Sequence, residues 1–313
     1  MEVQPYKFEP IYKEKIWGGR SLERLFGRRL PPGVKIGESW ELADLEAGES
    51  VVADGPESGK TLGTLAKEKG RDLLGPVRLL ENGRFPLLLK FLDANDILSL
   101  QVHPDERAAR ELGPPAAVKT ECWYVLESRD GYILKGVKAG VTAEQFRRAL
   151  GDDRAVAELV ERVEVRAGEF HYLPAGTVHA LGPGVVVAEI QTPSDTTYRV
   201  SDWGRGREIH VEQALRCIRF QPLPPSPPGA GGETLVKTPY FRVRRLHMPK
   251  GQTALAGGRC AAWMVLAGSG RVGTGGAEDT PVGAGDTLLL PAALARPVVE
   301  AREEMTVLEV TFP

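Results

Sequence analysis

The sequence predicts a mainly β chain made of two related antiparallel sandwich or barrel domains, the first interrupted by a small helical insertion. Short runs rich in Val, Leu, Tyr and Trp alternate with Gly and Pro, the punctuation of antiparallel strands. An internal repeat links the two halves, and a Pro/Gly-crowded break separates them. A length of 313 residues fits roughly two domains.

In chain order, the N-terminal MEVQPYKFEP lacks the basic and then apolar pattern of a secretory leader. Apolar stretches such as Phe85 to Leu89 end at a charge, here Lys90, too soon to span a bilayer. These features predict a cytoplasmic protein with no membrane partner. Helical signals cover Lys60 to Leu74, Asp105 to Leu112 and Thr142 to Val160, the last opening on a Thr142/Gln145 capping-box pattern. Most of the remainder reads as strands. In QPLPPSPPGAGGE, Gln221 to Glu233, missing donors and over-free dihedrals oppose both helix and ladder. The expected organisation is a first domain over residues 1–220, a linker over 221–233 and a second domain over 234–313.

The repeat is specific. VRAGEFHYLPAGTVHA, from Val165, aligns with VGAGDTLLLPAALARP, from Val282, through Val165/Val282, Gly168/Gly285, Leu173/Leu290 and Pro174/Pro291. Upstream, WYVL at Trp123 aligns with WMVL at Trp263. The first copy is longer between these anchors, and the extra length holds the Thr142 helix. The second copy has Ala261 opposite Glu121 and Arg296 opposite His179. Chemistry that uses Glu121 and His179 is therefore confined to the first copy.

Forty basic side chains balance 42 acidic ones, leaving no chain-wide positive field for a polyanion, so nucleic acid is not an expected partner. Cys122, Cys217 and Cys260 form no CxxC pair and read as buried free thiols.

Gln101 and His103 flank Val102, so a strand places both side chains on one face. Lys119 and Glu121 repeat that spacing just before WYVL. His179 follows the strand-ending Pro174 by five residues. Two neutral imidazoles, a carboxylate and an amide oxygen suit a borderline divalent ion such as zinc, with one coordination position left open.

KIWGGRSL (from Lys15), IGESWEL (from Ile36), LLLKFLDANDILSLQVHPDE (from Leu87), KTECWYVL (from Lys119), LPAGTVHALG (from Leu173) and EIQTPSDTTYRVSDW (from Glu189) occur in an order and spacing that resemble the type I mannose-6-phosphate isomerases, most closely their shorter bacterial branch. The resemblance implies two cupin-type jelly-roll barrels, the second degenerate, and one Zn²⁺ per chain held by His103, Glu121 and His179 with Gln101 as a fourth ligand. It carries the family's catalytic arginine onto Arg199 and implies a phosphate-binding role for Lys119 with Ser99. Trp17 is expected to wall the pocket. Glu41 and Asp195 are expected to face substrate, and Lys119 and Glu189 are the leading candidates for the base. The implied reaction interconverts mannose 6-phosphate and fructose 6-phosphate through an enediolate. Two readings stand beside it: another cupin sugar-phosphate isomerase, such as one acting on glucose 6-phosphate, and a sugar-binding regulatory cupin without turnover.

Overall fold

A computed structural model of the chain describes residues 3–223, 234–276 and 279–313, so most of the expected linker, 224–233, lies outside the described residues. Every strand pairing is antiparallel. One six-stranded sheet runs in the order Phe170–Leu173, Glu121–Ser128, Val185–Gln191, Leu88–Ala94, Ile11–Gly19, Ile36–Leu42. A five-stranded sheet packs against it, in the order Val160–Glu164, Tyr132–Val137, His179–Leu181, Leu100–Val102, Tyr198–Ser201. The C-terminal half repeats this order. Thr287–Leu290, Ala261–Ala267, Met305–Thr311 and Arg242–Met248 lie side by side in a second six-stranded sheet. Gly251–Ala254, Val298–Ala301, Ser269–Gly273 and Thr280–Gly283 form the sheet that faces it.

Alternation explains why the central strands read as unbroken apolar runs. In Val185–Gln191, Val185 and Val187 pack between the two sheets of the first barrel, with Trp123, Ile133 and Leu181. Val186, Ala188 and Ile190 point the other way and meet Ala262, Met264 and Leu308 of the second barrel. Such a strand is buried on both faces and loses its polar alternation. The two six-stranded sheets therefore stand back to back, and one apolar cluster joins the halves.

The predicted helices occur, but shorter. Lys60 to Leu74 divides into Leu62–Lys69 and Arg71–Leu74 at Gly70, whose φ is +47°. Asp105 caps Glu106–Leu112. Thr142 and Gln145 form the capping box of Ala143–Ala149, and a second short helix, Asp153–Glu158, follows Gly151. Phe146 and Val156 cover the outer face of the five-stranded sheet. Two helices unmarked by sequence signals are Ser21–Phe26 and Val211–Cys217. At the N-terminus, Tyr6–Lys7 pairs with Leu288 and Leu289 of the C-terminal sheet. That pairing satisfies backbone groups along an otherwise open edge. Among the described residues no helix is long and apolar enough to cross a membrane.

Candidate metal centre and active-site cavity

Glu121 and His179, each opening a strand, and His103, just beyond the end of Leu100–Val102, converge inside the first barrel, each almost fully buried. One ligand atom from each lies within 4.8 Å of the others. His179 Nε2 is 3.0 Å from Glu121 Oε1 and His103 Nε2 is 3.5 Å from Oε2. The other ring nitrogens fix the tautomers: His103 Nδ1 meets the Thr196 carbonyl and His179 Nδ1 the Thr177 carbonyl, each at 2.9 Å. A carbonyl only accepts, so both Nδ1 atoms carry the proton. Burial, reinforced by the Lys119 charge, holds His103 well below its usual pKa and keeps it neutral. Nε2 of each ring faces the carboxylate. Neither Glu121 oxygen has a hydrogen bond, although both are buried. Burial alone would raise the Glu121 pKa, but the Lys119 charge beside it outweighs that and holds the carboxyl well below its usual range. Converging lone pairs on an ionised, otherwise unbonded carboxylate make a donor set that fits a divalent cation.

Gln101 stands beside this cluster, with its amide nitrogen 3.4 Å from His179 Nε2 and its oxygen 3.3 Å from the Ser99 hydroxyl. Lys119 Nζ lies 3.0 Å from His103 Nε2 and 3.1 Å from Glu121 Oε2. Gln101, Lys119 and Ser99 also line a cavity of about 450 Å³, with Trp17, Glu189, Asp195 and Arg199. The structure thus brings together every predicted site residue but one.

The exception is Glu41, expected to face substrate. It lies on the opposite side of the strand Ile36–Leu42, bonded to Arg28 at 2.7 and 2.8 Å and to Ser39. The carboxylate of that strand that lines the cavity is Glu38. An odd separation along a strand puts the two glutamates on opposite faces.

Sequence reasoning also missed Lys90, Lys15, Arg207 and His210, all of which line the cavity. Lys90 is buried at 3.5 Å from Glu38 and 3.3 Å from Glu189. Burial alone would lower its pKa, yet Glu38 and Glu189 hold it above its ordinary value. A lone lysine within LLLKFL was the available signal, since an unpaired charge does not survive in a strand buried on both faces. Glu189 accepts the Trp123 indole N–H at 2.8 Å, and burial with the Glu121 charge pushes its pKa upward against Lys90. Arg199 donates Nη1 to the Glu208 carbonyl at 2.9 Å and its backbone N–H to His210 Nδ1 at 3.0 Å. Its Nε is buried without a partner, and among the described residues Arg199 makes no ion pair.

A jelly-roll barrel whose interior gathers His, Glu and His beneath a polar cavity defines a cupin with a possible metal site. Comparison with known proteins takes this further. The family model described as "Phosphomannose isomerase type I, catalytic domain" matches residues 6–128. Mannose-6-phosphate isomerase ManA of Bacillus subtilis is 35% identical over 98% of this chain and 99% of its own. The Streptococcus mutans mannose-6-phosphate isomerase is 37% identical over 92% and 93%, respectively. The crystal structure of the mannose 6-phosphate isomerase from Bacillus subtilis superposes with a TM-score of 0.87 at 31% identity, covering 99% of this chain and all of that one. The chain belongs to the type I phosphomannose isomerase family and is an isomerase.

Proposed function

We propose that this chain interconverts D-mannose 6-phosphate and D-fructose 6-phosphate with one Zn²⁺ per chain. The observation that carries the reading is a polar cavity that exposes Lys119 and Gln101 in front of the His103–Glu121–His179 cluster and presents Arg199 to an anion. His103, Glu121 and His179 would hold the ion, with the amide of Gln101, which stands beside His179, as a fourth donor. When bound, the ion supplies Lewis acidity that lowers the cost of an enediolate.

The reaction moves a proton between C2 and C1 of the open-chain sugar. Glu189 is our choice of base, since Trp123 and Lys90 orient its carboxylate at the cavity wall; Lys119 is the alternative. Arg199, whose charge no carboxylate partner neutralises among the described residues, stabilises the developing oxyanion. Ser99, Asp195 and Trp17 orient the sugar, and Lys119 with Ser99 offers donors to the phosphate. Residues 234–313 form a degenerate copy in which no metal set occurs among the described residues, and the protein works in the cytoplasm.

The test is a coupled assay on mannose 6-phosphate and glucose 6-phosphate, before and after chelation. Turnover of mannose 6-phosphate that chelation abolishes is the expected result. Turnover of glucose 6-phosphate alone would move the chain to another sugar-phosphate isomerase. Metal-dependent sugar phosphate binding without turnover of either would make it a regulatory cupin.

A further inference from the structure

The misplaced Glu41 leads to a residue with no part in the proposed chemistry. Arg28 is largely buried between the two barrels and donates to four acceptors. Nη1 reaches the Ser39 hydroxyl and Glu41 Oε1, both at 2.7 Å, and Nη2 reaches Glu41 Oε2 at 2.8 Å. The fourth acceptor is the Gly285 carbonyl, 2.5 Å from Nη2, in the turn between Thr280–Gly283 and Thr287–Leu290 of the second barrel. Ser39 and Glu41 alternate along one strand with Glu38 and Trp40, and Glu38 lines the cavity, where it pairs with Lys15 at 2.9 Å and Lys90 at 3.5 Å. The guanidinium also lies 5.3 Å from the Phe91 ring, next in sequence to Lys90.

The turn is held as firmly as the strand. Gly285 has φ +89°, and a Cβ there would fall 2.6 Å from the Phe26 ring, which packs at a tilt against Phe91 with ring centres 4.8 Å apart. The Gly285 N–H bonds the Val265 carbonyl at 2.8 Å, tying the turn to its own barrel. A planar fork that engages a carboxylate by two bonds fixes direction as well as distance.

We propose that Arg28 is a positioning residue. Through Glu41 and Ser39 it transmits the location of the Gly285 turn to the strand carrying Glu38, so the second barrel sets the geometry of a cavity to which it contributes no lining group. The inference rests on the isomerase reading above.

The test is a double-mutant cycle on the zinc-loaded full chain, combining Arg28→Lys with Glu38→Gln and reading kcat and KM for mannose 6-phosphate. Arg28→Lys keeps the charge but loses the fork, and is expected to lower kcat about tenfold with zinc content unchanged. Added to Glu38→Gln it should cost less than a further twofold, because both changes act on the same group. Lys7→Gln breaks the ion pair that ties the N-terminal strand to the same turn, to Asp286 at 2.9 Å, and should leave kcat as it was. Additive losses from Arg28→Lys and Glu38→Gln, or an equal loss from Lys7→Gln, would overturn the inference by making Arg28 a general stabiliser of the interface. Should Arg28→Lys fold poorly, Glu41→Gln takes its place in the same cycle. Amide hydrogen exchange provides a readout independent of turnover: faster exchange confined to residues 36–42 is expected, and unchanged exchange there overturns the proposal. An inactive wild type whose exchange still responds in this way would sink the isomerase reading and leave the mechanical coupling standing.

Discussion

Glu189 and Glu309 occupy the same place in the two halves of the molecule. Each lies directly across a strand pairing from a tryptophan and accepts its indole N–H, from Trp123 at 2.8 Å and from Trp263 at 3.4 Å. Each also faces a cation on its other neighbouring strand: Lys90 at 3.3 Å from Glu189, and Arg244 at 3.2 Å from Glu309. The first copy opens this trio into a cavity beside a metal set. The second has Arg259, 3.1 Å from Glu309, at the position that the Trp123/Trp263 register gives to Lys119 in the first.

The two glutamates should therefore separate in their effects. Glu309→Gln is expected to cost roughly 2–3 kcal/mol of stability, since it removes the charge that pairs two arginines, and to leave kcat within about twofold. Glu189→Gln is expected to lower kcat by about a hundredfold or more with little loss of stability. Urea unfolding and steady-state kinetics on both variants check this; a large kcat loss from Glu309→Gln would show that the second barrel takes part in the chemistry.

His103→Ala, Glu121→Ala and His179→Ala should each lose stoichiometric zinc, and chelation should abolish an activity that Zn²⁺ or Co²⁺ restores. His210→Ala and His247→Ala should keep the metal, although His210 lines the cavity. Elemental analysis of the five purified variants decides. Tight zinc in His179→Ala would mean that another group completes the set.

Arg199 is expected to act on the transition state. Arg199→Ala should lower kcat about a hundredfold or more at unchanged zinc content, and Arg199→Lys should recover little, because the lysine lacks the planar fork. A rise in KM with kcat intact would instead assign the arginine to uniform binding, most simply of the phosphate.

Glu38 should make stability depend on acid. Burial alone would raise its pKa, but Lys90 and Lys15, with the Trp40 indole, bring the carboxyl down to about 2. A depressed folded-state pKa means that the unfolded chain binds the proton more tightly. The contribution, roughly 3 kcal/mol, is thus complete above the unfolded value of about 4.5 and is lost as pH falls toward 2. In urea melts between about pH 6 and pH 3, the advantage of wild type over Glu38→Gln should shrink with falling pH. Parallel curves would show that the lysines do not stabilise the ionised form.

The β architecture, its duplication and the His103–Glu121–His179 set were legible in the sequence because each leaves a local or periodic trace. Turn glycines and prolines recur at a fixed spacing. Two-residue alternation pairs Gln101 with His103 and Lys119 with Glu121. The missing counterparts at Ala261 and Arg296 mark which copy carries the His/Glu/His set. All of these are facts about neighbours along the chain.

Which face of a strand meets the cavity was not legible. Alternation places Glu38 and Glu41 on opposite sides of Ile36–Leu42, yet either side satisfies that rule, and only the packing of the second barrel assigns Glu41 to Arg28 and leaves Glu38 to the cavity. The same holds for Lys90, whose partners Glu38 and Glu189 come from two strands that pairing brings to its sides. It holds also for Tyr6–Lys7, which crosses to the C-terminal sheet. Periodicity specifies the parity of a side chain, whereas its surroundings depend on which strands and sheets lie against it, and that is settled by contacts between residues far apart in the chain.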